Sequence, residues 1–141
     1  MEDRAELKRL VDTFSNLADR KDIAKQVELF TPDATVESWA EGKRSSSLKG
    51  RNEIAKTFGQ FLSGFSTVYH MNGQQTVEID GDSATGTAYT LVILISRTDG
   101  KVVRRTSGVR YDDRYRRQDG KWLIAARTSH FEWTTIEEEP A

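Results

Sequence analysis

Three Asp-Gly pairs lie in the second half of the chain, and they constrain its fold more than any other feature. They occur at Asp80-Gly81, Asp99-Gly100 and Asp119-Gly120, between runs rich in β-branched and aromatic residues. Asp-Gly supplies the left-handed backbone that a tight hairpin turn requires. The sequence therefore predicts antiparallel strands over residues 75–79, 83–97, 101–117 and 121–133.

The first half has the periodicity of helices instead. Apolar residues fall on one helical stripe near the N-terminus, and two shorter helices are predicted later, the first of them capped by Asp22 and ended by Thr31-Pro32-Asp33. The three apolar sets are Leu7, Leu10, Val11, Phe14 and Leu17; then Ile23, Val27 and Phe30; then Ile54, Phe58, Phe61 and Leu62.

A strand is predicted over residues 34–39, and the polar stretch over residues 41–50 is interpreted as a mobile loop. Helices followed by a meander of strands indicate an α+β fold, with the helices packed on one face of a curved antiparallel sheet. A length of 141 residues suits a single domain spanning residues 1–141.

Composition excludes several kinds of protein. The net charge of -1 gives no global field for nucleic acid or a membrane surface, and the absence of cysteine excludes disulfides and thiolate zinc sites. The apolar run Leu91–Ile95 is too short to span a membrane. We therefore expect a cytoplasmic protein that uses neither nucleic acid nor membrane as a partner.

The predicted fourth strand of the sheet has one apolar face and one charged face. The first carries Val109, Tyr111, Asp113 and Tyr115, and the second carries Arg110, Asp112, Arg114 and Arg116. The charged set is interpreted as a solvated ladder of opposite charges. A nucleic-acid stripe is the alternative, and the interrupting acidic residue disfavours it.

The last predicted strand has apolar members on both faces. Strict alternation places Leu123, Ala125, Arg127, Ser129 and Phe131 on one face and Trp122, Ile124, Ala126, Thr128 and His130 on the other. A strand covered on both sides suggests helices on one side and another subunit on the other. The sequence thus predicts a homodimer or homotrimer.

His70 is one of only two histidines and lies where helix gives way to strand. Histidine exchanges protons near neutral pH. If the chain is an enzyme, His70 is the predicted base. The alternative is that His70 is a structural histidine whose hydrogen bonds are satisfied within the protein. The other histidine, His130, is interpreted as structural or part of an interface.

Several segments resemble the SnoaL-like family of the nuclear transport factor 2-like superfamily. The segments are Leu17-Ala-Asp-Arg-Lys-Asp22, Leu29-Phe-Thr-Pro-Asp-Ala34, Gly50-Arg-Asn-Glu-Ile54, Val77-Glu-Ile-Asp-Gly-Asp-Ser-Ala84 and Tyr115-Arg-Arg-Gln-Asp-Gly-Lys-Trp-Leu-Ile124. The resemblance implies a cone in which a bent antiparallel sheet and three N-terminal helices enclose a pocket. The same fold carries enzymes, binding proteins and assembly modules.

Within that superfamily the pattern is similar to scytalone dehydratase and hexachlorocyclohexane dehydrochlorinase. The resemblance implies that Asp19 and His70 form a catalytic pair and that Arg127 stabilises an anion. Two positions where those enzymes carry other polar groups are Ala18 and Phe14 here, and there is no second pocket histidine near Leu94.

These groups suit removal of a proton next to a carbonyl or a leaving group, without metal or organic cofactor. The predicted function is a lyase or isomerase of dehydratase or cyclase type, acting on a small cyclic, polyketide-, steroid- or terpenoid-like molecule. A non-catalytic small-molecule-binding protein and an oligomerisation module remain as alternatives.

Each predicted site residue also has a structural interpretation. Asp19 could be solvated near a helix end, and Arg127 could be a buried partner of Asp113. The residues predicted to contact the substrate are Trp39, Phe58, Tyr89, Tyr111, Asp113 and Phe131. Aromatic side chains such as Trp39, Phe58, Tyr89 and Tyr111 belong more often to a core than to a pocket lining, but a few of them are expected to touch any ligand.

Overall fold

Helix α1 (Asp3–Asp19) begins the chain, and its apolar stripe packs against the sheet, as predicted. The computed structural model describes residues 2–140. Leu7, Val11 and Phe14 are buried on the stripe. Helix α2 (Ile23–Gln26) is capped by Asp22, whose carboxylate accepts the Lys25 backbone N–H at 3.3 Å, and a 3₁₀ turn (Val27–Leu29) follows. Helix α3 (Arg51–Leu62) is the third predicted helix.

The strands are β1 (Phe30–Ala40), β2 (Lys43–Lys49), β3 (Thr67–Asp80), β4 (Ser83–Thr98), β5 (Lys101–Gln118) and β6 (Lys121–Pro140). They form one curved sheet in the order β2-β1-β6-β5-β4-β3. All neighbours are antiparallel except β1 and β6, which run parallel. The α+β prediction is confirmed, with the addition of this one parallel pair.

The predicted hairpins are present. Asp99 and Gly100 have φ of 50° and 72°, and Asp119 and Gly120 have φ of 51° and 77°, which is the left-handed backbone that Asp-Gly was expected to supply. Because the turns fix the register, Val109, Tyr111, Asp113 and Tyr115 of β5 face inward and are buried, as predicted.

The prediction of a mobile loop over residues 41–50 is wrong. Residues 43–49 form β2, which pairs with β1 after a turn whose residues Glu41 and Gly42 have φ of 51° and 78°. An edge strand can be polar because one side is exposed, and in β2 only Leu48 is buried. The apolar alternation that marks a strand is therefore missing from its sequence.

The predicted faces of β6 are correct only in part. A bulge interrupts the pairing of β5 with β6, so that Arg114 pairs with Ala126 while Tyr115 pairs with Ile124. Because a bulge adds one residue, it reverses the alternation beyond Ala125. Trp122 and Ile124 therefore share the inner face with Arg127 and Ser129, against the predicted division.

Candidate active site

A cavity of 420 Å³ lies between the helices and the inner face of the sheet. Its wall is largely aromatic and aliphatic, and includes Phe14 of α1, Phe58 and Phe61 of α3, and Val92 of β4. The polar members include Gln26, His70, Tyr111, Arg127 and Ser129. A more open concavity of 640 Å³ on the outer face of the sheet includes none of Asp19, His70 and Arg127.

Asp19 and His70 are in direct contact, as the family resemblance implied. The His70 ring Nδ1 lies 2.6 Å from Asp19 Oδ1, and the His70 backbone N–H donates to Asp19 Oδ2 at 3.2 Å. A carboxylate only accepts, so Nδ1 carries the proton and Nε2 is the unprotonated nitrogen of the neutral ring. The carboxylate thus fixes both the tautomer and the orientation of the imidazole.

The end of α1 explains how Asp19 reaches the histidine. Asp19 is the last residue of the helix, and Lys21 then takes a φ of 57°, which turns the chain toward α2. On a continuing helix Asp19 would lie away from the apolar stripe. Because the helix ends there, its carboxylate can turn toward β3, where His70 faces inward.

A second set of bonds joins α1 to β3 beside this pair, and sequence reasoning missed it. Asn72 donates through Nδ2 to Asp12 at 2.9 Å and to the Val11 carbonyl at 3.3 Å, and Ser15 donates to Asn72 Oδ1 at 3.1 Å. Asn72 faces inward like His70 because it lies two residues later on the same strand. The two-residue spacing from His70 is the one sign in the sequence that Asn72 faces the inner side of the sheet.

Arg127 and Asp113 form a buried ion pair with two hydrogen bonds. Arg127 Nε donates to Asp113 Oδ1 at 2.8 Å, and Nη2 donates to Oδ2 at 3.0 Å. Tyr115 donates its hydroxyl to Asp113 Oδ2 at 2.7 Å. Burial acts to lower the pKa of Arg127, but the Asp113 carboxylate outweighs it, and the pKa is held above its ordinary value.

The Arg127 guanidinium also lies over two aromatic rings. Its carbon lies 3.7 Å from the centre of the Tyr111 ring and 4.6 Å from that of Phe14. Within residues 2–140, its remaining nitrogen, Nη1, has no hydrogen-bond partner. Arg127 therefore lies in the cavity wall with its charge compensated by Asp113 and one donor unused.

The structure brings some of the predicted substrate-contacting residues to the cavity and leaves others out. Phe58, Tyr111 and Phe131 line it, and Asp113 lies behind Arg127. Tyr89 is 42% exposed on the outer face, because its neighbours Ala88 and Thr90 on β4 face inward.

Trp39 is likewise absent from the cavity wall. It follows an irregularity between Ser38 and Trp39 in the pairing of β1 with β2, and Val36 and Ser38 are the residues of β1 that line the cavity. Ser45, Ser46 and Leu48 of β2 also line the cavity. The sequence does not predict them as site residues, because it predicts a loop over residues 41–50.

No group of three or more histidine, aspartate or glutamate side chains among residues 2–140 is arranged to hold a metal ion. None of the helices in that range has the length and apolar character needed to cross a membrane.

Comparison with known proteins gives a consistent result. The model of the SnoaL-like domain matches residues 1–128. The uncharacterised protein Rv2910c of Mycobacterium tuberculosis is 29% identical over 126 residues, which are 89% of this chain and 82% of that protein.

Solved structures show the same fold. A candidate scytalone dehydratase from Novosphingobium aromaticivorans superposes with a TM-score of 0.82 at 20% identity, covering 94% of this chain and 85% of that one. A type 2 hexachlorocyclohexane dehydrochlorinase (LinA) gives 0.79 at 17% identity, covering 95% and 88%. At these identities the likeness concerns the fold.

Proposed function

This chain belongs to the SnoaL-like domain family, and we propose that it is a cofactor-independent lyase or isomerase that acts through His70 and Asp19. The proposal rests on one observation above all, the 2.6 Å contact between His70 Nδ1 and Asp19 Oδ1 at the wall of a mostly apolar cavity. Dehydratase and dehydrochlorinase structures of the same fold are consistent with this class of reaction.

In the proposed reaction His70 Nε2 removes a proton from a carbon next to a carbonyl. The C–H electron pair becomes the double bond of an enolate, and the negative charge moves to the carbonyl oxygen. Asp19 stabilises the imidazolium that forms. A group on the β-carbon then leaves as the enolate collapses, taking the proton from His70 if it is a hydroxyl, or the proton returns at another carbon.

Arg127 is the proposed stabiliser of the enolate oxygen, through Nη1. Its charge is already compensated by Asp113, which disfavours a permanently anionic ligand. A neutral molecule that acquires negative charge only in the transition state suits such a site, because preorganised donors act most strongly on developing charge. The aromatic wall suits a cyclic, polyketide-, steroid- or terpenoid-like substrate.

A non-catalytic binding protein is the second candidate function. It is favoured by Ala18 and Leu94, apolar residues in the cavity wall at positions where polar groups would have extended the catalytic set. In that case the cavity would hold the same class of molecule without turnover.

Hydrogen–deuterium exchange distinguishes the proposed enzyme from a non-catalytic binding protein. Exchange at the carbon next to the carbonyl of 1-indanone, and of a panel of cyclic ketones, is followed by NMR in D₂O. We expect the wild type to accelerate exchange and His70→Gln to lose roughly 10²-fold of the rate while retaining binding. His130→Gln is the matched control, because His130 lies on the outer face, bonded to Asp112.

Ligand binding without accelerated exchange in the wild type would favour the binding protein. Exchange that persists in His70→Gln would exclude His70 as the base.

A further inference from the structure

Helix α1 and strand β3 are joined by a row of polar contacts that ends at the pair of Asp19 and His70. Near the start of the helix, Lys8 donates to the Gly73 carbonyl at 3.2 Å. At the end of the helix, Asp19 meets His70. Later residues of α1 therefore contact earlier residues of β3, and Asn72 lies between the two ends of the row.

The Asn72 amide is held at both ends, and all of its partners belong to α1. Nδ2 donates to the Asp12 carboxylate at 2.9 Å and to the Val11 carbonyl at 3.3 Å. Both of these groups only accept, so the two bonds fix which end of the amide is which. The buried Ser15 hydroxyl therefore donates to Asn72 Oδ1, at 3.1 Å.

The contacts of Asn72 and of His70 have the same spacing on both elements. Ser15 and Asp19 are four residues apart on α1, which corresponds to about 6 Å along the helix axis. Asn72 and His70 are two residues apart on β3, which corresponds to about 6.6 Å along the strand. When Ser15 is bonded to Asn72, the Asp19 carboxylate therefore lies beside His70.

Apolar packing alone does not fix this alignment. The hydrophobic effect is non-directional, so the apolar stripe determines which face of α1 meets the sheet but permits small shifts along it. Hydrogen bonds require narrow ranges of distance and angle. Within residues 2–140, the bonds of Asn72 are the directional contacts between α1 and β3 that lie nearest to the pair of Asp19 and His70.

We propose that Asn72 is a positioning residue, which holds α1 on β3 so that the Asp19 carboxylate stays within hydrogen-bonding distance of His70 Nδ1. The use of this contact in proton transfer rests on the proposed function, whereas the positioning itself does not. Asn72 is not part of the cavity wall that the described residues form, so it acts through Asp19 and His70 rather than on the ligand.

The test follows the Nδ1 proton of His70 by NMR of protein labelled with ¹⁵N at histidine, and it needs no ligand. A short bond to a carboxylate deshields this proton, so the wild type should give a resonance far downfield. His70→Gln assigns the resonance, because it leaves only the signals of His130.

Two variants change Asn72 in different ways. Asn72→Ala removes the amide. Asn72→Asp keeps its size but places a carboxylate against that of Asp12, and the two charges repel. In both variants we expect the His70 resonance to move upfield or to disappear through exchange of the proton with water.

Asp3→Ala is the matched control. Asp3 is the first residue of α1 and accepts hydrogen bonds from Arg117 at 2.7 Å and from Trp122 at 3.1 Å. The variant therefore also removes bonds between α1 and the sheet, but at the other end of the helix. It should keep the His70 resonance of the wild type.

The variants are then compared in the exchange reaction of 1-indanone. A small displacement of a catalytic group can cost up to about 10²-fold in rate, so we expect the two Asn72 variants to be roughly 10- to 10²-fold slower. Their affinity for 1-indanone, measured by calorimetry, should not change. Asp3→Ala should keep both the rate and the affinity.

Several results would overturn the proposal. The wild type could lack a downfield His70 resonance, both Asn72 variants could retain it, or Asp3→Ala could change it equally. Weaker binding of 1-indanone by the Asn72 variants would place Asn72 in contact with the ligand instead. Loss of folding in both Asn72 variants, seen by circular dichroism, would make Asn72 a general requirement of the fold.

The NMR and exchange measurements test separate claims. A His70 resonance that depends on Asn72, in a wild type that does not accelerate exchange, would refute the catalytic proposal and leave the positioning role intact. Accelerated exchange together with an unchanged resonance in both Asn72 variants would do the reverse.

Discussion

Arg127 and Asp113 bind each other through two parallel hydrogen bonds of 2.8 and 3.0 Å, with side chains only 1% and 0% exposed. Tyr115 donates a third bond to the same carboxylate, and Gln75 donates in turn to the Tyr115 hydroxyl at 3.2 Å. The arginine therefore has a permanent structural partner, and only its Nη1 is left without a hydrogen-bond partner among residues 2–140.

Arg127→Met is expected to destabilise the protein strongly, because it leaves Asp113 as a buried carboxylate without its cation. Breaking a buried pair from one side costs roughly 3–5 kcal/mol of unfolding free energy. Urea denaturation measures the change. Adding Asp113→Asn should recover part of the loss, since it removes the unpaired charge.

The control for this experiment is Arg110→Met on the outer face, which breaks a partly exposed pair with Glu132. That loss should stay below about 1 kcal/mol. Unchanged stability in Arg127→Met would show that the pair contributes nothing to folding.

Asp19→Asn should keep the fold and slow the exchange reaction. Asparagine supplies no charge to stabilise the imidazolium, and its amide can select the wrong tautomer of His70. We expect the rate to fall by roughly 10²-fold or more while the urea midpoint changes little. The control is Asp112→Asn, which alters the other histidine-bonded carboxylate, on the outer face. Equal rates in Asp19→Asn and the wild type would contradict the role given to Asp19.

The fall in unfolding free energy at alkaline pH should depend on the two buried tyrosines, Tyr111 and Tyr115. Burial, and then the Asp113 charge, raise the pKa of Tyr115, and burial raises the pKa of Tyr111. In the unfolded chain both ionise near pH ~10 while the folded protein keeps their protons, so unfolding releases protons and stability falls as the pH rises past that point.

Tyr115→Phe removes one of these groups. Its unfolding free energy should therefore fall less steeply above pH ~10, by up to about 1.4 kcal/mol per pH unit. Urea titrations across pH ~9 to ~11 give the slope. A slope identical to that of the wild type would mean that Tyr115 ionises equally in both states.

The sequence is sufficient to predict those parts of the fold that depend only on neighbouring residues. Asp99-Gly100 and Asp119-Gly120 fix their own turns, and those turns fix which face of β5 is buried. The contact of Asp19 with His70 followed from the family resemblance, because the helix periodicity by itself placed Asp19 off the stripe.

The features that could not be predicted from the sequence depend on pairing between strands that are distant in the chain. The bulge at Ala125 follows from how β6 meets β5, and it reverses the alternation of the last strand. β2 is recognisable as a strand only through its pairing with β1. Asn72 has no motif, and its bonds to Asp12 and Ser15 become visible only once α1 lies against β3.

Large apolar side chains project from the outer face of the sheet. Met71 is 57% exposed, and Tyr69, Tyr89 and Trp133 are also exposed there. Met71 pairs in register with Leu91, Leu91 pairs with Gly108, and Gly108 pairs with Trp133. These residues therefore form one continuous strip across β3, β4, β5 and β6. A Cβ at position 108 would overlap the Trp133 indole, so glycine lets the ring lie against the strand.

We propose that this strip is the surface through which the chain forms a homodimer or homotrimer, because exposed apolar patches of this kind typically mark protein interfaces. Met71→Glu places a charge within the strip and should shift the protein to monomer in sedimentation velocity runs. Ile136→Glu is the matched control, because Ile136 is equally exposed but lies on the opposite face of the sheet. It should leave the association state unchanged. A wild type that sediments as a monomer at high concentration would contradict the proposal, as would equal dissociation by both variants.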